Sequence, residues 1–324
     1  MPELRFGQAI NRALHDAMQA DQSVVLLGED VGGPGGPFGV TRGLQDTFGK
    51  DRVRDTPIAE GVLAGAAVGA ALSGLRPVIE LMFMDFVTLA MDALVNQAAK
   101  ARFMFGGQLS VPLVVRTPHG GGLNAGPQHS QCLEAWFAHV PGLQVVCPAT
   151  PADAYGLLRS AIAGADPVVF VENKALYAMK GEVPEYPDPV PIGTARIARG
   201  GRDVAVVTYG ASLYVALEAA ERLAAEGLEL EVIDLRSLQP WDAPCVLDAL
   251  ARINRVVVLH EAVQAFGVGA EIAAWLADEG FNHLDAPLVR VDAPFMPVPF
   301  ARELESRYRP GADQLIAAVH KVMA

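Results

Sequence analysis

Apolar and polar positions along the chain change period in blocks. Over residues 6–20, Ile10, Ala13, Leu14, Ala17 and Met18 recur at helical spacing, which predicts an amphipathic helix. Ser23–Gly28 is an unbroken apolar run closed by glycine and followed by Glu29-Asp30, the signature of a strand buried on both faces. Similar runs at 77–83, 111–116, 143–147 and 167–172 predict further strands, with helical stretches at 85–101 and 151–163. Alternating strand and helix argue for a parallel sheet covered on both sides. Pro184, Pro187, Pro189 and Pro191 then interrupt the pattern with a linker composition. A second α/β pattern follows: strands at 203–210, 230–235 and 255–259, helices at 212–226 and 267–278. The expected organisation is a domain over 1–183, a linker over 184–200 and a domain over 201–324.

Three places carry chemistry at the expected carboxyl ends of strands, where open parallel sheets bind ligands. Glu29 follows the first strand and Met82–Phe86 the second. After the third comes a glycine-rich loop, Pro118–Ser130, with His119 and His129. The loop matches neither the Walker pattern nor the dinucleotide fingerprint. No carboxylate joins its histidines at metal-ligand spacing, so His129 is either a loop histidine or a proton shuttle. The segment Gly32–Gly39, rich in Gly and Pro, reads as an irregular loop. Glu60 precedes Gly61–Leu72, twelve residues without a polar side chain, and that run reads as a buried helix packed closely against a neighbour. Its carboxylate is either a helix N-terminal group favoured by the dipole or a functional acid in an apolar surround.

Composition narrows the class. A chain of 324 residues exceeds the usual size of one core, in keeping with two domains. Hydrophobic residues at 51% suit large buried sheets, and charged residues at 19% leave surface for other subunits to cover. A net charge of −12 without a Lys/Arg cluster argues against nucleic acid or an anionic membrane as partner. Cys132, Cys147 and Cys245 are scattered, which points to structural thiols in a reducing compartment. The start of the chain lacks a signal-peptide pattern, and the longest uncharged apolar run, 61–75, is shorter than the ~20 residues a bilayer requires. A cytoplasmic location is expected.

Several motifs occur together and in order: Leu27-Gly28-Glu29-Asp30-Val31, Arg52–Glu60, Gly74-Leu75-Arg76-Pro77, Gln128-His129-Ser130-Gln131, Asp166-Pro167-Val168, Asp234–Leu238 and Leu284–Pro287. With these the chain resembles, over nearly its whole length, the β subunits of the thiamine diphosphate-dependent E1 component of 2-oxo acid dehydrogenase complexes. The resemblance implies an α/β fold: a transketolase-like pyrimidine-binding domain, a parallel sheet flanked by helices, followed by a transketolase C-terminal α/β domain. It implies an α2β2 heterotetramer whose E1 α subunit holds the diphosphate and magnesium through a GDG motif. No GDG occurs in this chain, so it is expected to carry half of an active site.

By resemblance, Glu60 bonds the cofactor's pyrimidine ring nitrogen and drives amino–imino exchange. Phe86 stacks on that ring, Glu29, Ile58 and Met82 line the same pocket, and His129 moves a proton near the reacting carbon. A potassium ion is implied on the carbonyls of Leu113, Ala161, Ile162, Gly164 and Asp166, although Gly164 stands where other members have an acidic residue. The implied reaction is oxidative decarboxylation of a small 2-oxo acid, with acyl transfer to a lipoyl-bearing E2. Segments 80–86, 103–107 and 181–184 resemble the pyruvate and acetoin members more than the branched-chain ones, placing pyruvate first, acetoin close behind and branched-chain 2-oxo acids third. A complete transketolase-type enzyme would need a further diphosphate domain. A subunit that only scaffolds a complex would not need Glu60, Phe86 and His129 together.

Overall fold

The computed structural model describes residues 3–185 and 187–324; residues 1, 2 and 186, at the start of the expected first domain and in the expected linker, lie outside the described residues. The chain divides into two compact units. The first runs to His119 and resumes over Trp136–Ile192; the second joins Gly120–Ala135 to Gly193–Ala324. The glycine-rich loop, expected within the first domain, is therefore counted with the second, whose carboxylates take up its backbone N–H groups.

In the first unit, β1 (Glu3–Arg5) leads into α1 (Phe6–Ala20), whose Phe6, Ala9, Ile10, Ala13, Leu14, Ala17 and Met18 form the buried stripe the spacing predicts. Then come β2 (Val24–Gly28), α2 (Leu44–Phe48), β3 (Val53–Asp55), α3 (Glu60–Leu72) and β4 (Arg76–Glu80). After α4 (Met84–Val87), a 3-10 turn and a π-helical stretch at Asp92–Ala98 lead to α5 (Ala99–Met104), so the continuous helix expected over 85–101 is broken. The series continues with β5 (Val114–His119), α6 (Glu134–Ala138), β6 (Gln144–Val146), α7 (Pro151–Ala163), β7 (Val168–Asn173) and β8 (Lys180–Glu182). Helix α7 matches its expected bounds because its start is written locally: Thr150 caps the Asp153 N–H at 3.1 Å and Pro151 opens the first turn. The main sheet of this unit runs β6-β7-β5-β4-β2-β3, all parallel, while β1 and β8 pair antiparallel apart from it. From β2 the chain goes to β3 on one side and to β4 on the other, so the topological switch point lies between β2 and β4.

Helix α3 departs from its expected burial. Glu60, Leu63, Ala64, Ala67, Val68 and Ala71 face the core, whereas Gly61, Val62, Gly65, Ala66, Gly69 and Leu72 are exposed. An all-apolar run predicts burial all round, but this unit covers only half the helix.

The second unit holds β9 (Arg196–Arg199), β10 (Val204–Thr208), α8 (Ser212–Ala224), β11 (Leu230–Asp234), β12 (Ser237–Gln239) and α9 (Ala243–Ile253). Its remaining elements are β13 (Val256–Val263), α10 (Val268–Glu279), β14 (Val289–Ala293), α11 (Arg302–Tyr308) and α12 (Ala312–Met323). The sheet order is β14-β13-β10-β11-β9, parallel except for β9, whose residues lie within the span expected as linker. No helix among the described residues is long and apolar enough to cross a membrane.

Candidate active site

The crevice at the first unit's switch point is built by close approach. Gly28 ends β2 opposite Glu80, the last residue of β4; a Cβ on Gly28 would lie 2.8 Å from the Glu80 carbonyl and 2.7 Å from Val31 Cγ1. Only glycine permits that approach. The next residues turn the chain away, Asp30 at φ 56°, and leave the Glu29 side chain at the carboxyl end of β2 with 6% exposure. The Thr56 N–H donates to the Gly28 carbonyl at 2.9 Å, which ties the segment leading to α3 to the same strand end. Glu60 is the first residue of α3, also 6% exposed.

The two carboxylates sense each other. Burial pushes the Glu29 carboxyl above its ordinary range, and the charges of Glu60 and Asp30 push it further. Glu29 Oε1 and Thr56 Oγ1 are buried with no hydrogen-bond partner among the described residues. Glu29 therefore holds its proton to higher pH than an ordinary carboxyl does. Met82 and Phe86, both half-buried, follow β4, and Phe86 meets Phe83 edge-on at 5.6 Å. Phe83 packs in turn on Phe38, which stacks on Tyr177 at 4.8 Å. Ile58 is 82% exposed.

Below this wall lies a buried charge network that sequence reading missed. Arg116 of β5 donates Nε and Nη2 to Glu172 of β7 at 2.7 and 2.9 Å, and Nη1 to Glu80 at 2.5 Å. The Tyr177 hydroxyl donates to Glu172 at 2.7 Å. Burial raises Glu80, with Arg116 pulling the other way; burial alone would lower Arg116, and Glu172 and Glu80 more than reverse that. The available signal was a charged residue inside each of the apolar runs Val114-Val115-Arg116 and Phe170-Val171-Glu172.

The residues of the expected potassium site lie in the same unit. The carbonyls of Ile162 and Gly164 accept Nη1 of Arg76 at 2.9 and 2.7 Å, Leu113 O accepts the Val168 N–H at 2.9 Å, and the Asp166 carboxylate pairs with Arg102. His129 belongs to the second unit; it is half-buried, and its N–H closes a turn on the Gly126 carbonyl at 3.3 Å. None of the three cysteines is in a disulfide among the described residues.

Residues 3–180 match the model of the transketolase pyrimidine-binding domain, and 193–315 that of the transketolase C-terminal domain. The chain is 47% identical to the β subunit of the acetoin:2,6-dichlorophenolindophenol oxidoreductase of Cupriavidus necator, over 99% of this chain and 98% of that one. It is 44% identical to the pyruvate dehydrogenase E1 component subunit β of Leifsonia xyli, over 98% and 94%. Among solved structures it resembles a split-gene transketolase described as an inactive β4 tetramer, at 25% identity and a TM-score of 0.80, over 99% of this chain and 98% of that one. The chain belongs to the family of E1 β subunits of 2-oxo acid and acetoin dehydrogenases, enzymes that depend on thiamine diphosphate.

Proposed function

We propose that this chain is the pyrimidine-binding half of an E1 enzyme that cleaves a small donor, acetoin or pyruvate, and passes the acyl unit to a lipoyl-bearing E2. The observation that carries the reading is the Glu29–Glu60 pair at the switch point, with a buried carboxyl oxygen left without a donor. An aminopyrimidine ring fits there: its N–H donors match that oxygen, and its apolar faces match Phe86, Met82 and Ile58. When bound, the cofactor supplies the carbon acid and the electron sink for carbon–carbon cleavage. Glu60 exchanges a proton with the ring nitrogen, Glu29 offers its buried oxygen to the ring's donors, and Phe86 and Met82 orient the ring. His129 moves a proton during release of the first product or transfer of the acyl unit.

The exposed apolar face of α3 supports assembly with an E1 α subunit in an α2β2 heterotetramer, because a single-sided apolar helix needs a cover. In this reading the α subunit holds the diphosphate and magnesium, and the complex is cytoplasmic. Acetoin and pyruvate stand level as donors, since relatives of both kinds match at similar identity. The segment around Met82 fits either. A turnover assay of the assembled enzyme with acetoin, pyruvate and 2-oxoisovalerate decides. We expect one of the two small donors to exceed 2-oxoisovalerate by ~10-fold or more in kcat/KM. Preference for the branched donor would reverse the assignment.

At the turn after α7, we propose that Arg76 supplies the cationic charge, in place of the potassium the resemblance implies. Its guanidinium already lies on the Ile162 and Gly164 carbonyls. The thermal midpoint should then agree within about 1 °C between potassium and sodium buffers of equal ionic strength. A potassium-specific rise of several degrees would place the ion there.

A further inference from the structure

The second unit has its own switch point, and the chain itself fills it. From β10 the chain passes to β11 on one side and returns to β13 on the other, so the ligand crevice of this sheet should open beyond β10 and β13. Thr208 and Leu259 are the last paired residues there, and Tyr209, His260 and Glu261 follow them into the crevice. His260 is buried, and burial holds its imidazole neutral, so its Nε2 accepts the Gly269 N–H at 3.0 Å; its ring lies 5.7 Å from that of Tyr209. No separate ligand is needed above them, because the segment Gly120–Ala135 occupies the place.

The segment is held by groups of this unit at both ends. The Tyr209 hydroxyl donates to Glu134 at 2.8 Å. Glu261 Oε1 accepts the Gly121 N–H at 2.6 Å and Arg309 Nε at 3.1 Å. From α11, Glu305 Oε2 accepts the Asn124 N–H at 3.0 Å; Glu305 is 3% exposed. Gly120, Gly122, Asn124 and Gly126 all have left-handed backbone, at φ 83°, 97°, 56° and 75°. Alternation of this kind turns successive N–H groups inward, the geometry of backbone anion nests. Here the anions are the unit's own carboxylates. A Cβ on Gly121 would lie 3.0 Å from Arg309 Cδ and 3.1 Å from Glu305 Oε1, so the chain passes tightly between the two clamping residues. The Phe300 ring covers Gly126, three residues before His129.

We infer that Glu261 and Glu305 are positioning residues for His129: the C-terminal domain uses its ligand crevice to seat the loop that presents the histidine. The inference rests on the proton-transfer role proposed for His129. The test uses the enzyme assembled with its α partner. Glu305→Ala should lower kcat by roughly 10- to 100-fold, as a small misplacement of a catalytic group does. KM and cofactor affinity should stay within about twofold. Backbone amide exchange at Gly121–Asn124 should speed up. Glu305→Gln keeps an acceptor oxygen at the same reach and should restore kcat to within about threefold of wild type. Adding Glu305→Ala to His129→Ala should cost no more than about a further twofold, because both act through one group.

Normal kcat in Glu305→Ala, no rescue by glutamine, unchanged amide exchange or full additivity with His129→Ala would each overturn the positioning role. Wild-type turnover in His129→Ala would sink the reading of His129 itself, and the positioning role with it. An impaired His129→Ala beside an unimpaired Glu305→Ala would sink the positioning role alone.

Discussion

Glu60→Ala is expected to reduce turnover of the assembled enzyme by about 10³-fold, within the range lost when a general acid–base group is removed. The assay closest to the role is hydrogen–deuterium exchange at the cofactor's reactive C2 carbon, which should slow in parallel. Glu60→Gln should do no better, since an amide keeps the shape and loses the proton. Near-normal C2 exchange in Glu60→Ala would refute the assignment. A second readout needs no cofactor. Glu29 is raised first by burial and next by the charge of Glu60, so its folded value lies above its unfolded one. Such a group favours the folded state below the ordinary carboxylate range, and that contribution is lost as pH rises through the raised value. Removing Glu60 takes away one cause of the rise. The urea midpoint of Glu60→Ala should therefore decline less than that of wild type between about pH 4 and about pH 8. This separates a true carboxylate pair from two acids that merely share a cleft.

Local chemistry is legible in the sequence where it is strong. The Glu29 strand end and the acid before an apolar run both stand out against their neighbours, and both reach the switch-point crevice. The strand ends were missed for one physical reason. Hydrophobic runs were expected to end at the first charged or polar residue, so β5 was expected to stop at Arg116 and β13 at Leu259. Pairing of β5 instead continues through Thr117 and Pro118 to His119, and β13 runs on through His260 and Glu261 to Val263. Those polar residues are buried because partners distant in sequence offset the cost: Glu172 for Arg116, Gly269 for His260, Gly121 for Glu261. Helix 85–101 failed for a different reason, since periodicity does not register a change from α to π winding. The exposed face of α3 marks a third limit: an apolar run records that something must cover it, without saying that the cover lies in the same polypeptide.

The largest stability effect should come from Arg116. It is 1% exposed and neutralises two buried carboxylates, Glu80 and Glu172, at the strand ends that support Met82 and Phe86. Arg116→Ala leaves both acids without their cation and should cost ~3–5 kcal/mol in urea unfolding. A loss below ~1 kcal/mol would show that the network is solvated in solution rather than sealed. The fall in stability with rising pH should steepen. Glu80 is already raised by burial while Arg116 opposes the rise, so losing the guanidinium raises it further. A carboxyl raised in the folded state contributes stability below its unfolded value and loses it as pH climbs through the folded value. The variant should therefore recover part of its loss as pH falls toward the acid side, where a salt-bridged protein ordinarily weakens. Arg116→Met combined with Glu80→Gln and Glu172→Gln removes all three charges and should regain most of the stability, since apolar or neutral replacements of a buried ionic group are often tolerated. If that triple variant folds and yet binds cofactor poorly, the network's contribution is to fix the wall at Phe83 and Phe86; if it binds normally, the charges serve the fold alone.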